Sequence, residues 1–265
     1  DIDLAKRILK RNELFDAKKL VTKLKDKIIG QDKAIDDIVS ILWQNSKSEV
    51  KNNILLIGPT GVGKTEIIRN IAKSLNVPTV ITDATSLTAS GYQGGNIEDI
   101  LRQLIKKANN NIAKASRGII FVDEIDKKAS TTIEANAQIG TASIQDELLK
   151  LLEDGEYQSN LGDVLFPNYV TLSTKNITVI ASGAFTGLRK KKEEKKKTIG
   201  FQPKESLIKQ KEPITTEDLY QYGIKKELIG RLPNIIELNP LTEKNLIQIL
   251  KNPHNTTIQS KTKIL

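Results

Sequence analysis

The sequence lacks the residues on which several kinds of protein chemistry depend. It contains no cysteine and a single histidine, His254. Without cysteine there is no disulfide scaffold, no thiol nucleophile and no zinc knuckle, and one histidine supplies too few ligands for a histidine-based metal site. Any bound metal is therefore expected to be a hard, oxygen-liganded ion such as magnesium.

Long apolar runs are also missing. No stretch approaches the roughly 20 apolar residues that cross a bilayer, and residues 1–15 interleave charges where a signal peptide needs an unbroken apolar segment. We therefore expect a cytoplasmic protein with no membrane partner. The hydrophobic content of 38% and charged content of 28% are ordinary for a chain of 265 residues that buries a core.

The net charge of +9 is concentrated in one segment. Residues 189–197 hold seven basic and two acidic side chains and so contribute +5, which leaves +4 for the rest of the chain. Such a basic run is typical either of a solvated loop or of a docking patch for an acidic partner or nucleic acid. Both interpretations remain open from composition alone.

Short apolar runs alternate with amphipathic helical patterns over most of the chain. Continuous apolar runs predict buried strands, and spacings of three and four residues predict the helices between them. Asp32 is the expected N-cap of the second helix. This alternation indicates an α/β fold, a largely parallel sheet with helices on both faces, whose active residues lie at the carboxyl ends of the strands. The predicted strands are 54–57, 79–82, 118–123 and 176–181, and the predicted helices are 2–27, 32–42, 66–75, 97–108, 143–152, 218–230 and 246–250.

The segment after the first predicted strand carries a complete phosphate-binding motif. Its glycines allow the backbone N–H groups to approach phosphate oxygens closely. Lys64 is placed to reach the β- and γ-phosphates, and Thr65 to ligate magnesium. The predicted strand before the motif and helix after it are the context that such a loop requires. The phosphate loop, as we call it, matches G-x-x-x-x-G-K-[ST] at every position and consists of Gly58, Pro59, Thr60, Gly61, Val62, Gly63, Lys64 and Thr65.

Two adjacent carboxylates follow another predicted strand. Asp123 and Glu124 come directly after the apolar run Ile119–Val122, about 60 residues beyond the phosphate loop. We expect Asp123 to hold the magnesium shell and Glu124 to act as the general base that polarises the attacking water. A helix-capping role is the alternative interpretation of such a pair.

These motifs, together with GYQG at 91–94 and ELIGRLP at 227–233, resemble the AAA+ ATPases and, within them, the ClpX family. The resemblance runs from about Ile28 to Leu250 and includes, in collinear order, DATSLTASGYQG, GIIFVDEIDK, QDELLKLLEDG, SGAFTGL and GIKKELIGRLPNIIELNPLTEKNLIQIL. ClpX proteins are ring-shaped hexamers that unfold proteins and feed them into the ClpP peptidase. The resemblance implies the large domain of a P-loop AAA+ ATPase with ATP and Mg²⁺ as cofactors. It also implies a homo-hexamer whose partners are a ClpP-type peptidase and unfolded or tagged protein substrates.

The resemblance assigns roles to further residues of the nucleotide site. Arg231 matches the arginine finger that reaches the γ-phosphate bound by a neighbouring subunit. Ile28 and Ile29 match residues that flank the adenine, and Ser182 matches the first sensor residue, which contacts nucleotide. Without the resemblance, the isoleucines are ordinary core residues, the arginine is a surface ion-pair partner, and the serine merely ends a strand.

Two further segments match surfaces that contact other proteins. Tyr92 matches the pore-loop aromatic that grips the translocating polypeptide, and Gln93 stands where the family usually has valine. Ile199, Gly200 and Phe201 match the loop with which ClpX docks on ClpP. The family's basic pore-entrance loop is not matched between Tyr157 and Thr174.

The resemblance also implies a division of the chain. Residues 1–27 are expected to form a helical lead-in, residues 28–240 the large ATPase domain, and residues 241–265 the start of a small helical domain that is largely absent. We therefore expect the chain to be part of a longer protein. Two other functions remain open: an AAA+ ATPase acting on nucleic acid, and a nucleotide switch without turnover. The lack of interleaved aromatic and basic residues disfavours the first, and Glu124 with Arg231 disfavours the second.

Overall fold

The structure is a computed structural model that describes residues 15–48, 51–87, 97–128, 145–161, 168–188 and 212–252. Its strands are β1 (Ile54–Ile57), β2 (Thr79–Asp83), β3 (Ile119–Asp123), β4 (Glu156–Asn160), β5 (Tyr169–Ser173), β6 (Thr178–Gly183) and β7 (Asn234–Glu237). Five of them form a parallel sheet in the order β2-β3-β6-β1-β7, and β4 and β5 form a separate antiparallel hairpin.

Helices connect the strands and cover the sheet. They are α1 (Ala17–Lys27), α2 (Asp32–Lys47), α3 (Lys64–Leu75), α4 (Ile97–Lys107), α5 (Ile112–Ala115), α6 (145–152), α7 (Thr216–Tyr222), α8 (Lys226–Arg231) and α9 (Glu243–Lys251). Within the ranges that the structure describes, no helix is both long and apolar enough to cross a membrane.

Both faces of the sheet are buried, as the continuous apolar strands predict. On β1, Leu55 and Ile57 pack into one core cluster together with the apolar side of α4. Ile54 and Leu56 point into a second cluster, which contains the apolar sides of α1, α2 and α3. Because each fully buried Leu or Ile contributes about 1.5–3 kcal/mol, this double burial fixes the central strand firmly in the fold. The predicted α/β architecture is confirmed.

The structure differs from the sequence-based expectation at four places. The single helix predicted over 218–230 is two helices, because Gly223 adopts a left-handed conformation that ends α7. The strand β7 and the hairpin β4–β5 were not predicted. Asp32 is the first residue of α2 instead of its cap; Gln31 holds the cap position and makes no side-chain capping bond to the helix.

Candidate functional site

The phosphate loop leaves the carboxyl end of β1 and leads directly into α3. Its glycines serve two different purposes. Gly61 and Gly63 have φ values of +82° and +100°, which L side chains rarely adopt, and open space lies where their Cβ atoms would be. At Gly58 the reason is crowding, since a Cβ would lie 2.9 Å from Leu238 Cβ. The backbone of the loop is therefore held in a shape that only glycine permits.

Lys64 lies over the loop that precedes it. Its Nζ donates to the carbonyl oxygen of Gly58 at 2.6 Å and to that of Pro59 at 3.0 Å. Burial lowers the pKa of Lys64, while the carboxylate of Asp123 opposes the shift. The ammonium group is thus positioned at the mouth of the loop by backbone oxygens, at the amino end of α3, where anions are favoured.

Asp123 joins the phosphate loop to the neighbouring strands. Its Oδ2 accepts a hydrogen bond from Thr65 Oγ1 at 3.1 Å, and its Oδ1 accepts hydrogen bonds from Ser182 Oγ and, at 2.9 Å, from the backbone N–H of Glu124. Ser182 is fully buried at the carboxyl end of β6. The structure therefore brings together Thr65, Asp123 and Ser182, with Ser182 holding the carboxylate.

Glu124 follows Asp123 in an unusual backbone conformation. Its φ of +59° is uncommon for a residue with a side chain and marks a position that the surrounding structure constrains. Its Oε1 lies 2.6 Å from Lys127 Nζ, and this hydrogen bond raises the pKa of the lysine. Lys127 was not singled out from the sequence, although its spacing of three residues from Glu124 is a recognisable signal.

The site's oxygen donors fit a magnesium ion. Thr65 contributes a hydroxyl and Asp123 a carboxylate, and the two groups are already in contact. Hydroxyl and carboxylate oxygens are the hard ligands that Mg²⁺ takes in nucleotide sites, where it keeps several waters and binds phosphate oxygens as well. The side chains present are therefore suited to hold magnesium together with a bound triphosphate.

Arg231 lies at the end of the sheet where the strands begin, whereas the phosphate loop lies at the end where they finish. β7 runs parallel to β1, and Asn234 is opposite Ile54 where both strands begin. Arg231 precedes that start, whereas the phosphate loop follows the end of β1. At about 3.3 Å per residue, the four residues of β1 separate the two edges by about 13 Å. Arg231 is therefore not part of the group around Thr65 and Asp123.

The surroundings of Arg231 hold it at that edge. Asn53 Nδ2 donates to its carbonyl oxygen at 3.2 Å, and its guanidinium is 3.6 Å from Glu153 Oε1. Its side chain is 54% exposed, so the guanidinium is open to a neighbouring molecule. Close by, burial lowers the pKa of Lys51 to about 8 although Asp154, 4.0 Å away, opposes the shift.

The remaining predicted residues fall into two groups. Ile28 is buried in the core cluster beneath α1 and α2, and Ile29 is half-buried next to it. The structure thus places Ile28 as a core residue in the segment between those helices. Tyr92, Gln93, Ile199, Gly200 and Phe201 lie outside the described residues, and their roles remain predictions.

Sequence patterns missed Gln31, whose side chain contacts the phosphate loop. Gln31 is 1% exposed, and its Nε2 donates to the carbonyl oxygen of Val62 at 3.3 Å. No local pattern identifies such a residue, since its partner is 31 positions away. An unexplained polar residue between two predicted helices was the only available signal.

Comparisons with known proteins identify the family to which this chain belongs. A family model described as AAA domain (Cdc48 subfamily) matches residues 49–235. The chain is 38% identical to the ATP-dependent Clp protease ATP-binding subunit ClpX of Treponema denticola, over 79% of this chain and 54% of that protein. It is 37% identical to ClpX 2 of Wolinella succinogenes, over 78% of this chain and 53% of that protein. It thus spans about half the length of these curated relatives. The chain belongs to the AAA domain family, and its parallel sheet with helices on both faces is the large-domain fold of a P-loop AAA+ ATPase.

Proposed function

We propose that this chain binds ATP with Mg²⁺ at the phosphate loop and hydrolyses it to drive protein unfolding, delivering substrates to a ClpP-type peptidase. The observation that carries the proposal is the contact of Thr65 with Asp123, beside Lys64 and Glu124 at one edge of the sheet. The relatives are named as ATP-binding subunits of an ATP-dependent protease, which supports the same activity here. The cytoplasm remains the proposed location.

In the proposed reaction, the chain contributes binding, charge and a base. The backbone N–H groups of the phosphate loop and the Lys64 ammonium bind the phosphates. Thr65 and Asp123 hold magnesium, which neutralises charge on the phosphate oxygens when bound. Glu124 accepts the proton of the attacking water in place of its contact with the exposed Lys127.

The proposed assembly follows from the position of Arg231. An arginine at the edge opposite the phosphate loop cannot reach a nucleotide bound by its own chain, yet it is exposed to a neighbour. A ring in which each Arg231 faces the next phosphate loop satisfies this geometry, since head-to-tail contacts form a ring when the rotation between neighbours closes. We propose a homo-hexamer, in line with the resemblance to ClpX.

Replacing Lys64 with alanine tests nucleotide binding directly. We expect the affinity for MgATP to fall at least about tenfold, since a charge-assisted contact to phosphate contributes roughly 1.5–3 kcal/mol. Titration of a fluorescent ATP analogue measures the change. Lys73→Ala, an exposed lysine in the last turn of the same helix, is the control and should leave binding unchanged. Equal affinities of Lys64→Ala and the unsubstituted chain would rule out the proposed site.

Replacing Tyr92 with alanine tests the unfolding activity. A broad amphipathic ring can grip many sequences, so its loss should slow unfolding of a tagged fluorescent substrate several-fold while ATP hydrolysis changes little. The assay follows substrate fluorescence and phosphate release in parallel. Tyr220→Ala removes an exposed tyrosine whose ring lies beneath the Lys226 ammonium and should affect neither rate. Unimpaired unfolding by Tyr92→Ala would remove this residue from the proposed mechanism.

A further inference from the structure

One buried side chain connects three separate parts of the structure. Gln31, 1% exposed between α1 and α2, donates from Nε2 to the carbonyl oxygens of Val62 at 3.3 Å and Asn239 at 2.8 Å. Its Oε1 accepts a hydrogen bond from the backbone N–H of Asn239 at 3.0 Å. Both N–H groups and the oxygen of the amide are therefore engaged, and the side chain is fixed in one orientation.

The first of these connections holds the middle of the phosphate loop. Val62 is buried, and on either side of it Gly61 and Gly63 have positive φ values. A residue with a glycine on each side would otherwise have several accessible backbone conformations. The hydrogen bond from Gln31 to the Val62 carbonyl restrains the loop at the point where it is intrinsically least restrained.

The second connection leads out of the sheet toward α9. Asn239 follows Leu238, whose backbone N–H donates to Ile57 O at 2.7 Å just before the phosphate loop begins. Gly58 is pressed against the same leucine, since a Cβ there would lie 3.1 Å from Leu238 O. Residues 238–239 therefore contact the loop twice, once directly at its start and once through Gln31 at Val62.

The start of α9 is attached to the same region. Thr242 caps α9 in a reciprocal arrangement with Asn245. The side chain of Asn245 also packs on Gly30, where an added Cβ would lie 3.0 Å from its Cγ. α9 has no buried residue and is held by contacts at both ends: its first turn and the segment from Asn239 at the start, and Asn252 Nδ2, which donates to Asp26 O at 3.0 Å, at the end.

From these contacts we propose that Gln31 is a positioning residue that couples the conformation of the phosphate loop to the orientation of α9. The proposal rests on the proposed function, because it requires nucleotide at the phosphate loop. One amide cannot keep its hydrogen bonds to Val62 and to Asn239 if the loop moves and the segment after β7 does not. A nucleotide that stabilises one conformation of the loop thereby stabilises one orientation of α9. By reciprocity, the orientation of α9 affects the affinity of the loop for nucleotide.

Amide hydrogen exchange measures this coupling. Saturating MgADP should slow exchange over residues 239–251 by about fivefold or more in the unsubstituted chain. Gln31→Leu removes all three hydrogen bonds and should abolish that response even at saturating nucleotide. Gln31→Glu keeps an acceptor for the Asn239 N–H but, when ionised, has no donor for either carbonyl oxygen, so it should also lose the response.

Asn45→Leu is the matched control. Asn45 lies on the same α2 helix and likewise makes two donations and one acceptance, to Asn52 O at 2.9 Å, to Thr178 Oγ1 at 3.1 Å and from Asn52 N at 3.0 Å. It is near the far end of α2 and does not contact the loop. This variant should lose stability yet keep the response of α9 to MgADP.

The outcomes of these exchange experiments distinguish the coupling from general destabilisation and from a failure of nucleotide binding. Protection of 239–251 that persists in Gln31→Glu, or that is absent from the unsubstituted chain with MgADP bound, would overturn the coupling and leave the proposed function intact. Loss of the response in Asn45→Leu as well would assign it to general destabilisation and overturn the role of Gln31. If titration shows that the unsubstituted chain binds no MgADP, the proposed function fails and the coupling fails with it.

Discussion

Glu124→Gln is expected to abolish ATP hydrolysis while ATP binding persists. The substitution keeps the size and the hydrogen-bonding capacity of the side chain but removes its ability to accept a proton from water. General-base catalysis contributes about 10²–10⁴-fold, so the turnover number should fall by at least about 100-fold. Phosphate release gives the rate, and titration with the fluorescent ATP analogue shows whether binding is retained.

The local structure favours this carboxylate over Asp123 as the proposed base. Asp123 accepts hydrogen bonds from Thr65, Ser182 and the backbone of Glu124, so its oxygens are occupied. Glu124 pairs with Lys127, which is exposed and easily displaced. A surface ion pair of this kind contributes at most about 1 kcal/mol, which a bound substrate can overcome.

Glu66→Gln is the control variant for Glu124→Gln. Glu66 follows Thr65 in the first turn of α3, and its Oε1 accepts from Asn70 Nδ2 at 2.7 Å on the exposed side of the helix. The same chemical change at the same end of the sheet should leave the turnover number unaltered. Hydrolysis by Glu124→Gln at the unsubstituted rate would exclude Glu124 as the base, and loss of ATP binding would indicate a structural role instead.

The central strands and the phosphate loop could be predicted because their signals are local. Ile54–Ile57 and Ile119–Val122 are continuous apolar runs, which a sheet buried on both faces requires. The loop's three glycines, Lys64 and Thr65 lie within eight consecutive positions, and each has a separate physical reason. Asp123 could be linked to them because parallel strands end at one edge of the sheet.

Features that depend on distant parts of the chain were not predictable. The strand β7 has only Ile236 buried and pairs on one side alone, so its apolar pattern is too short to recognise. Gln31 resembles an ordinary helix-cap residue until Asn239, 208 positions away, is placed beside it. The separation of Arg231 from the phosphate loop likewise follows from the register of β7 with β1, which the sequence does not encode locally.

Arg231→Ala is expected to reduce ATP hydrolysis by about 1,000-fold or more in the assembled protein, because an arginine finger stabilises the charge that develops on the transferred phosphoryl group. The residue lies at the edge opposite its own phosphate loop, so the loss should reflect a site shared between subunits. Affinity for ATP should change much less than the turnover number. Arg102→Ala removes an arginine that pairs with Asp99 on α4 and should leave the rate unaltered.

Mixing two inactive variants distinguishes a finger in trans from one in cis. A subunit carrying Arg231→Ala retains Glu124, and a subunit carrying Glu124→Gln retains Arg231. Random assembly of an equal mixture places an intact Glu124 against an intact Arg231 at about a quarter of the interfaces of a head-to-tail ring. The mixture should therefore hydrolyse ATP far faster than either variant alone, up to about a quarter of the unsubstituted rate if the sites act independently. If both residues served the same chain's nucleotide, no interface could restore a complete site, and the mixture would be no more active than the mean of its two components.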